Sequence, residues 1–238
     1  MKLDILAFGA HPDDVELSAA GTLMKQIDMG RKIGIVDMTQ GELGSRGTIE
    51  TRYNEAAAAS VILGLHYRTN LKMDDGFFEN NAINRQKVIE QIRLTRPEVL
   101  LINAPSDRHP DHGRAAKLVL DAAFYAGLKM IKASFEGEEL KAYRPRVIYH
   151  YIQDHYHEPT FVTEVTPYVD RKIESILAYS TQFYDPASTE PLTPISGPEF
   201  LNFIKGRMAE MGRKIGVDYA EGFIAARTLG VDDLMALK

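Results

Sequence analysis

The sequence predicts an α/β fold of the Rossmann-like, doubly wound class, a mostly parallel sheet with helices on both faces and a less regular C-terminal half. Three observations carry that expectation. Apolar runs of strand length alternate with amphipathic runs of helix length through the first half of the chain. The helical runs end at Gly30 and Gly64, or just ahead of Pro97, where such breaks belong. The tripeptide His-Pro-Asp occurs twice, at residues 11–13 and 109–111, each time between a strand-like run and a helix-like one.

Each element follows from its residues in order. Leu3 to Phe8 is a short apolar strand; it runs into His11-Pro12-Asp13 with no small-residue cleavage site, so it is not expected to be a signal peptide. Glu16 to Met29 is an amphipathic helix with Gly30 in the C′ position. Lys32 to Met38 is a strand, followed by a loop carrying Gly41, Gly44 and Gly47. Ile49 to Leu63 is a helix stopped by Gly64, and Leu65 to Leu71 a third strand. Ala82 to Thr95 is a helix closed ahead of Pro97, Val99 to Asn103 a short apolar strand, and Gly113 to Tyr125 a helix. Strictly alternating strands and helices imply parallel strands joined by crossovers. In the common doubly wound order the first and fourth strands are neighbours, and ligands bind outside their carboxyl ends. That topology brings His11, Asp13, Asp14, His109 and His112 together.

In the second half, Arg146 to Ile152 and Thr160 to Val165 read as strands and Tyr168 to Tyr179 as a helix. Asp185 to Pro198 is rich in Pro, Ser and Thr and reads as a surface loop or lid. Pro198 to Ile215 is a further helix and Tyr219 to Arg227 a last strand. With no solenoid repeat and no low-complexity tract, residues 1–238 are expected to form a single domain.

Composition narrows the partners. The 28 Lys and Arg against 33 Asp and Glu give a net charge of −5 with no basic run, which counts against nucleic acid or an anionic membrane. There are no cysteines, so disulfides are excluded and any metal must sit on nitrogen and oxygen ligands. No apolar run approaches the roughly 20 residues that span a bilayer, and a cytoplasmic location is expected.

The two tetrads have a purely structural reading. Asp13 with Glu16 fits a capping box, and Asp111 fits an N-cap. Capping explains one aspartate per copy, but neither histidine, nor Asp14, nor the repetition. Functionally, His11, Asp14 and His112 supply two imidazoles and a carboxylate, leaving coordination positions open as a catalytic zinc site requires. Asp13 is then spare and adjacent, able to take a proton, and His109 can donate to an oxygen that becomes negative. The same trio is the ferrous oxygenase pattern, but those sites usually read His-x-Asp in an all-β barrel, which the alternation contradicts. A nucleotide-binding module would need a glycine fingerprint after the first strand. Gly9-Ala10-His11-Pro12-Asp13-Asp14 stands there instead, and its aspartates would repel a pyrophosphate.

Ala10-His11-Pro12-Asp13-Asp14-Val15-Glu16 resembles the signature of the LmbE/PIG-L-like zinc N-deacetylases, and Pro105 to His112 resembles their second motif. Further matches are Thr39 to Gly44, Arg52 to Ala56, Asp75-Gly76, Lys172 with Tyr179 to Gln182, and Tyr219 to Phe223. The resemblance implies hydrolysis of the acetamide of an N-acetylglucosamine derivative, a small-molecule amino-sugar substrate. Length and pattern are most similar to the branch acting on N-acetylglucosaminyl-malate in bacillithiol biosynthesis. The alternative is another N-acetylglucosaminide, such as a chitooligosaccharide or the free sugar.

The resemblance further implies one Zn²⁺ per chain, with Fe²⁺ as the other candidate metal, and a homo-oligomer, a hexamer in the family. It matches His11, Asp14 and His112 to the metal ligands, Asp13 to the general base, and His109 to the oxyanion-stabilising or proton-donating histidine, with Asp111 orienting His109. Some relatives place a tyrosine two residues before that histidine, where this chain has Asp107. Arg52 and Arg108 flank the motifs and are expected, with Glu42 of the glycine loop, to bind substrate, since guanidinium groups pair bidentately with the two carboxylates of malate. Arg46 is expected to be a solvated charge. His150, His155 and His157 are expected at a surface or subunit contact, and Met208 and Met211 in helix packing.

Overall fold

Strand alternation assigns the two faces of the sheet, and the structure, a computed structural model describing residues 1–236, follows it. The last two residues of the expected 1–238 span lie outside the described residues. The first half runs β1 (Ile5–Gly9), α1 (Asp14–Asp28), β2 (Ile33–Thr39), α2 (Ile49–Leu63), β3 (Tyr67–Met73), α3 (Ala82–Thr95), β4 (Val99–Ile102) and α4 (Pro110–Ala126). The second half runs β5 (Ser134–Phe135), β6 (Glu138–Glu139), β7 (Val147–Tyr151), β8 (Phe161–Glu164), α5 (Val169–Leu177), α6 (Pro198–Arg213) and β9 (Ala220–Ala225). The β5–β6 hairpin is absent from the sequence reading. Two-residue strands carry too little periodicity to register, although Glu136 and Gly137, both at positive φ, make the turn.

The sheet order is β3-β2-β1-β4-β7-β9-β8. β1 lies between β2 and β4, parallel to both, with Ile5 opposite Ile33 and Val99. The expected adjacency of the first and fourth strands therefore holds. β7 continues the parallel run beside β4, while β9 is antiparallel to both β7 and β8, which makes the second half less regular. Leu6 and Phe8 pack with Val36, Leu100 and Ile102 against Val88, Ile92, Leu118 and Val119 of α3 and α4. Ile5 and Ala7 point the other way, with Ile33, Ile35 and Leu101, onto Val15, Ala19 and Leu23 of α1. Each of the larger side chains among these, fully buried, contributes roughly 1.5–3 kcal/mol. Ala56 and Ala59 of α2 join Ile176 of α5 and Met208 of α6 in a third cluster, and Met211 sits in a fourth with Ala220, so both methionines pack as expected.

Two buried charge networks lock these layers. Arg68 on β3 donates to Asp37 Oδ1 and Oδ2 at 2.9 and 2.8 Å, to Glu16 Oε1 at 2.6 Å and to Tyr179 Oη at 2.8 Å. Lys172 of α5 pairs with Glu221 of β9 at 2.6 Å, and Glu221 also accepts the backbone N–H groups of Gly21 and Thr22 in α1. In a dry interior such charges persist only when paired with opposite ones.

Both motif helices start earlier than the periodicity suggests, α1 at Asp14 and α4 at Pro110. Asp13 occupies the N-cap of α1, yet its side chain makes no cap bond and Glu16 turns away to Arg68 and Tyr179, so there is no capping box. The N-cap of α4 is His109, whose ring accepts from the Asp111 N–H, with Pro110 in the first turn; Asp111 is not the cap. Asp14 and His112 are thereby fixed in first helical turns and not on loops.

Candidate active site

The carboxyl ends of β1, β4 and β7 converge on one cleft of about 910 Å³, part of it open to solvent. After β1 the chain must turn back over its own end: a Cβ on Gly9 would lie 2.9 Å from the His11 carbonyl oxygen, so only glycine permits the approach. The turn places Asp13 at φ 113°, a left-handed conformation that costs a non-glycine residue roughly 1–3 kcal/mol.

Asp14 is the centre of the cluster. Its Oδ1 lies 3.2 Å from His112 Nε2 and its Oδ2 3.8 Å from His11 Nδ1. Gln153 donates to Oδ1 at 2.7 Å, and Asn103 and the His11 N–H donate to Oδ2 at 3.0 Å each. Burial would raise this carboxyl, but the His112 charge and hydrogen bond, with His11 and Gln153, hold it well below the usual range.

Each imidazole is braced on its far side. His11 Nε2 donates to Asp75 Oδ1 at 3.0 Å and faces Asp111 Oδ2 at 3.3 Å. His112 Nδ1 donates to Asp107 Oδ2 at 2.8 Å. Burial would lower His11, but its bonds to Asp111 and Asp75 and the Asp14 charge raise it to about 10. The same competition, with Asp14 and Asp107 prevailing, raises His112 to about 9. The nitrogens turned inward, Nδ1 of His11 and Nε2 of His112, are thus the ones facing Asp14.

This donor set fits a divalent metal. The outer carboxylates fix each ring and its tautomer, leaving one inward nitrogen per ring and one carboxylate, an arrangement typical of metal-ligating histidines. His109 also enters the cluster: its ring centroid lies 4.7 Å from His11 and 5.4 Å from His112, and the three rings bring nitrogens within 4.8 Å of one another. His109 Nδ1 accepts the Asp111 N–H at 3.3 Å, so the ring proton sits on Nε2. Burial, then the positive charges of His11 and His112, push its pKa down.

Asp13 is adjacent to this set and differently placed. Its Oδ2 accepts from Arg52 Nη1 at 3.2 Å. Burial raises its carboxyl to about 7, the Arg52 charge opposing and the Asp14 charge reinforcing.

The structure redistributes several expected roles. Asp111 meets His109 only through its backbone; its carboxylate accepts from Gly76 N and Arg114 and faces His11. Arg52 lines the cleft but is buried and committed to Pro12 O, Asp13 and Gln182 Oε1, so it is no free clamp for a carboxylate. Glu42 accepts the N–H groups of Gln40 and Asp75, joining two loops, and is not among the cleft-lining residues. Arg108 does line the cleft, its side chain half exposed and its Nε on Asp154 at 2.9 Å. Arg46 is buried and donates to Ser188 Oγ at 2.6 Å, tying the 185–197 loop to the glycine loop. His150 is also buried, donating to the Asn103 carbonyl at 2.7 Å, whereas His155 is exposed.

The site residues expected from sequence leave out Asn103 and Gln153, and also Asp75, Asp107 and Gln182 in spite of the matched motifs that contain them. Asn103 and Gln153 follow the ends of β4 and β7, where the strand-end rule applies to any polar residue and not only to His and Asp.

The chain matches the family described as PIG-L, GlcNAc-PI de-N-acetylase, over residues 6–123. A conserved protein of known structure from Thermus thermophilus is 36% identical, with a TM-score of 0.84 over 97% of this chain and 98% of that one. The diacetylchitobiose deacetylase of Thermococcus kodakarensis is 24% identical over 189 residues, 75% of this chain and 70% of its own length. The fold also matches a 4-carboxy-2-hydroxymuconate hydratase from Pseudomonas putida, at 19% identity and a TM-score of 0.77 over 98% of this chain and 100% of that one. The fold alone therefore does not select the reaction.

Proposed function

This chain belongs to the PIG-L/LmbE family, and from that membership we propose that it hydrolyses the acetamide of an N-acetylglucosamine derivative with Zn²⁺ as cofactor. The observation that carries the reading is the Asp14 carboxylate facing two inward-turned, outwardly braced imidazoles, with a second carboxylate, Asp13, beside them in an open cleft. His11, Asp14 and His112 would hold the zinc. Bound there, it would supply a Lewis acid that polarises the amide carbonyl and makes water nucleophilic near neutral pH.

The protein groups do the rest. Asp13, its carboxyl pushed up to about 7, is basic enough to take the proton of the attacking water and, once protonated, acidic enough near neutral pH to deliver it to the departing amine nitrogen as the C–N bond breaks. Arg52 keeps Asp13 aimed and limits how far burial raises it. His109, its pKa pushed down first of all by burial, offers Nε2–H to the oxygen that becomes negative, which supports oxyanion stabilisation as its role.

The finer reading is N-acetylglucosaminyl-malate as substrate, one malate carboxylate meeting Arg108 at the cleft rim. A neutral acetylated sugar is the second reading, supported by the commitment of Arg52 to Asp13 and by similarity to a diacetylchitobiose deacetylase. Acetate release from zinc-loaded enzyme decides between them. The malate conjugate should exceed N-acetylglucosamine and chitobiose derivatives in kcat/KM, and Arg108→Ala should reduce only the conjugate, by about 10-fold or more. Equal rates on conjugate and neutral sugar would remove malate, and no acetate from any of them would remove the deacetylase.

A further inference from the structure

One wall of the cleft has an odd composition for a site built around charge. Phe203, on α6, lines the same cleft as Asp13 and the three imidazoles, yet 43% of it remains exposed. An aromatic side chain that keeps this much of its surface uncovered while lining an open cleft leaves apolar area there for a ligand to bury. The ring is also held in place. Arg207, one helical turn on, sets its guanidinium carbon 4.6 Å from the ring centroid, and its Nη2 is in turn bonded to the Asp154 carbonyl oxygen. Phe200 lies alongside, with centroids 5.9 Å apart and planes 24° apart, and itself stacks on Phe183 of the core. A side chain fixed on several sides and bare towards a cleft is a preformed platform, which binds with little loss of side-chain entropy.

We infer that Phe203 is the residue that recognises the pyranose ring, its exposed surface packing on the C–H face of the sugar whose acetamide lies at Asp13. This rests on the deacetylase reading above and adds the ring-binding residue to it. It separates two layers of specificity: Arg108 distinguishes what is attached to the sugar, and Phe203 requires that there be a sugar ring at all.

The test is a KM and Kd series on intact, zinc-loaded protein. Phe203→Ala should raise KM for N-acetylglucosaminides, charged and neutral alike, by about 5- to 30-fold, or ~1–2 kcal/mol, with kcat within about two-fold. KM for an open-chain acetamide should not move. Phe203→Leu, which keeps apolar bulk but not the aromatic ring, should behave like Ala, and Phe203→Tyr like the parent. The chain has no tryptophan, so Phe203→Trp creates a single indole, excitable apart from the 11 tyrosines, whose emission should change on titration with methyl glucosaminide, a ligand with no acetamide to cleave. Calorimetry of methyl glucosaminide gives the independent arm. If no acetamide is turned over but this ligand binds the parent and binds Phe203→Ala at least five-fold more weakly, the deacetylase reading fails and the ring platform stands. If the ligand binds parent, Ala and Leu variants equally, or binds none of them, the platform is wrong whatever the enzyme hydrolyses.

Discussion

At the residue scale, the neighbouring aspartates of the first tetrad have separable jobs because their surroundings differ. Asp14 is saturated with donors and held ionised, whereas Asp13 is strained at φ 113° and pushed up towards neutral pH. Asp13→Asn should therefore retain zinc and lose about 10²–10⁴ in kcat. Its melting temperature should hold or rise, since a buried carboxylate is replaced by a neutral group that tolerates left-handed backbone. Near-parental turnover in a metal-loaded Asn variant would assign the base elsewhere. Asp107 makes the complementary case, since it touches His112 from behind and lies outside the expected ligand set. Asp107→Ala should weaken zinc affinity by roughly 10- to 100-fold in chelator competition. Unchanged affinity would show that the ring needs no brace.

At the element scale, α1 begins at the last residue of the first tetrad, Asp14, and its position depends on a carboxylate from the far end of the chain. Glu221 of β9 bonds the Gly21 and Thr22 N–H groups and pairs with Lys172 of α5. Removing one partner leaves a buried charge unpaired, so Lys172→Met should cost about 3–5 kcal/mol, and Lys172→Met with Glu221→Gln should recover part of it. Denaturant melts of both variants test this, and a double variant no better than the single would show that the pair is not the source. Gly21 adds a steric check. A Cβ there would lie 2.7 Å from Val165 Cβ, so Gly21→Ala should destabilise by roughly 1–3 kcal/mol despite alanine's helix propensity. A thermal midpoint equal to the parent's would mean that α1 can shift away.

At the scale of the whole molecule, the charge cluster ties stability to pH and metal. His11 and His112, raised to about 10 and 9 against roughly 6.5 in the unfolded chain, stabilise the metal-free protein fully below pH ~6.5 and lose that contribution as pH rises through their folded values. Asp13, also raised, adds a loss in the same direction between pH ~4 and about 7. The metal-free melting temperature should therefore fall from pH 7 to 10. Zinc must displace protons from the same rings, so the stabilisation it confers should grow over that interval. Parallel pH profiles with and without zinc test this, and a metal-free melting temperature that stays level from pH 7 to 10 would show that the two histidines contribute no such stabilisation.

The helices, the parallel order and the meeting of both tetrads were legible because they depend on local periodicity and on a topological rule that follows from chain handedness. Residue type and strand-end position bring His11, Asp13, Asp14, His109 and His112 to one cleft, while the division of roles among them comes from the family resemblance. Tertiary structure decided the partners. Only packing reveals that Arg52 is buried against Asp13, that Glu42 is taken up by backbone N–H groups, that Arg46 and His150 are buried, and that Asp75, Asp107 and Asp111 brace the rings from behind. A side chain's hydrogen-bond partner lies up to a whole fold away in sequence, as Gln153 does from Asp14, and periodicity carries no information about such pairs. The sequence determined which chemistry could assemble at the strand ends; the three-dimensional packing decided which charges remain free to perform it.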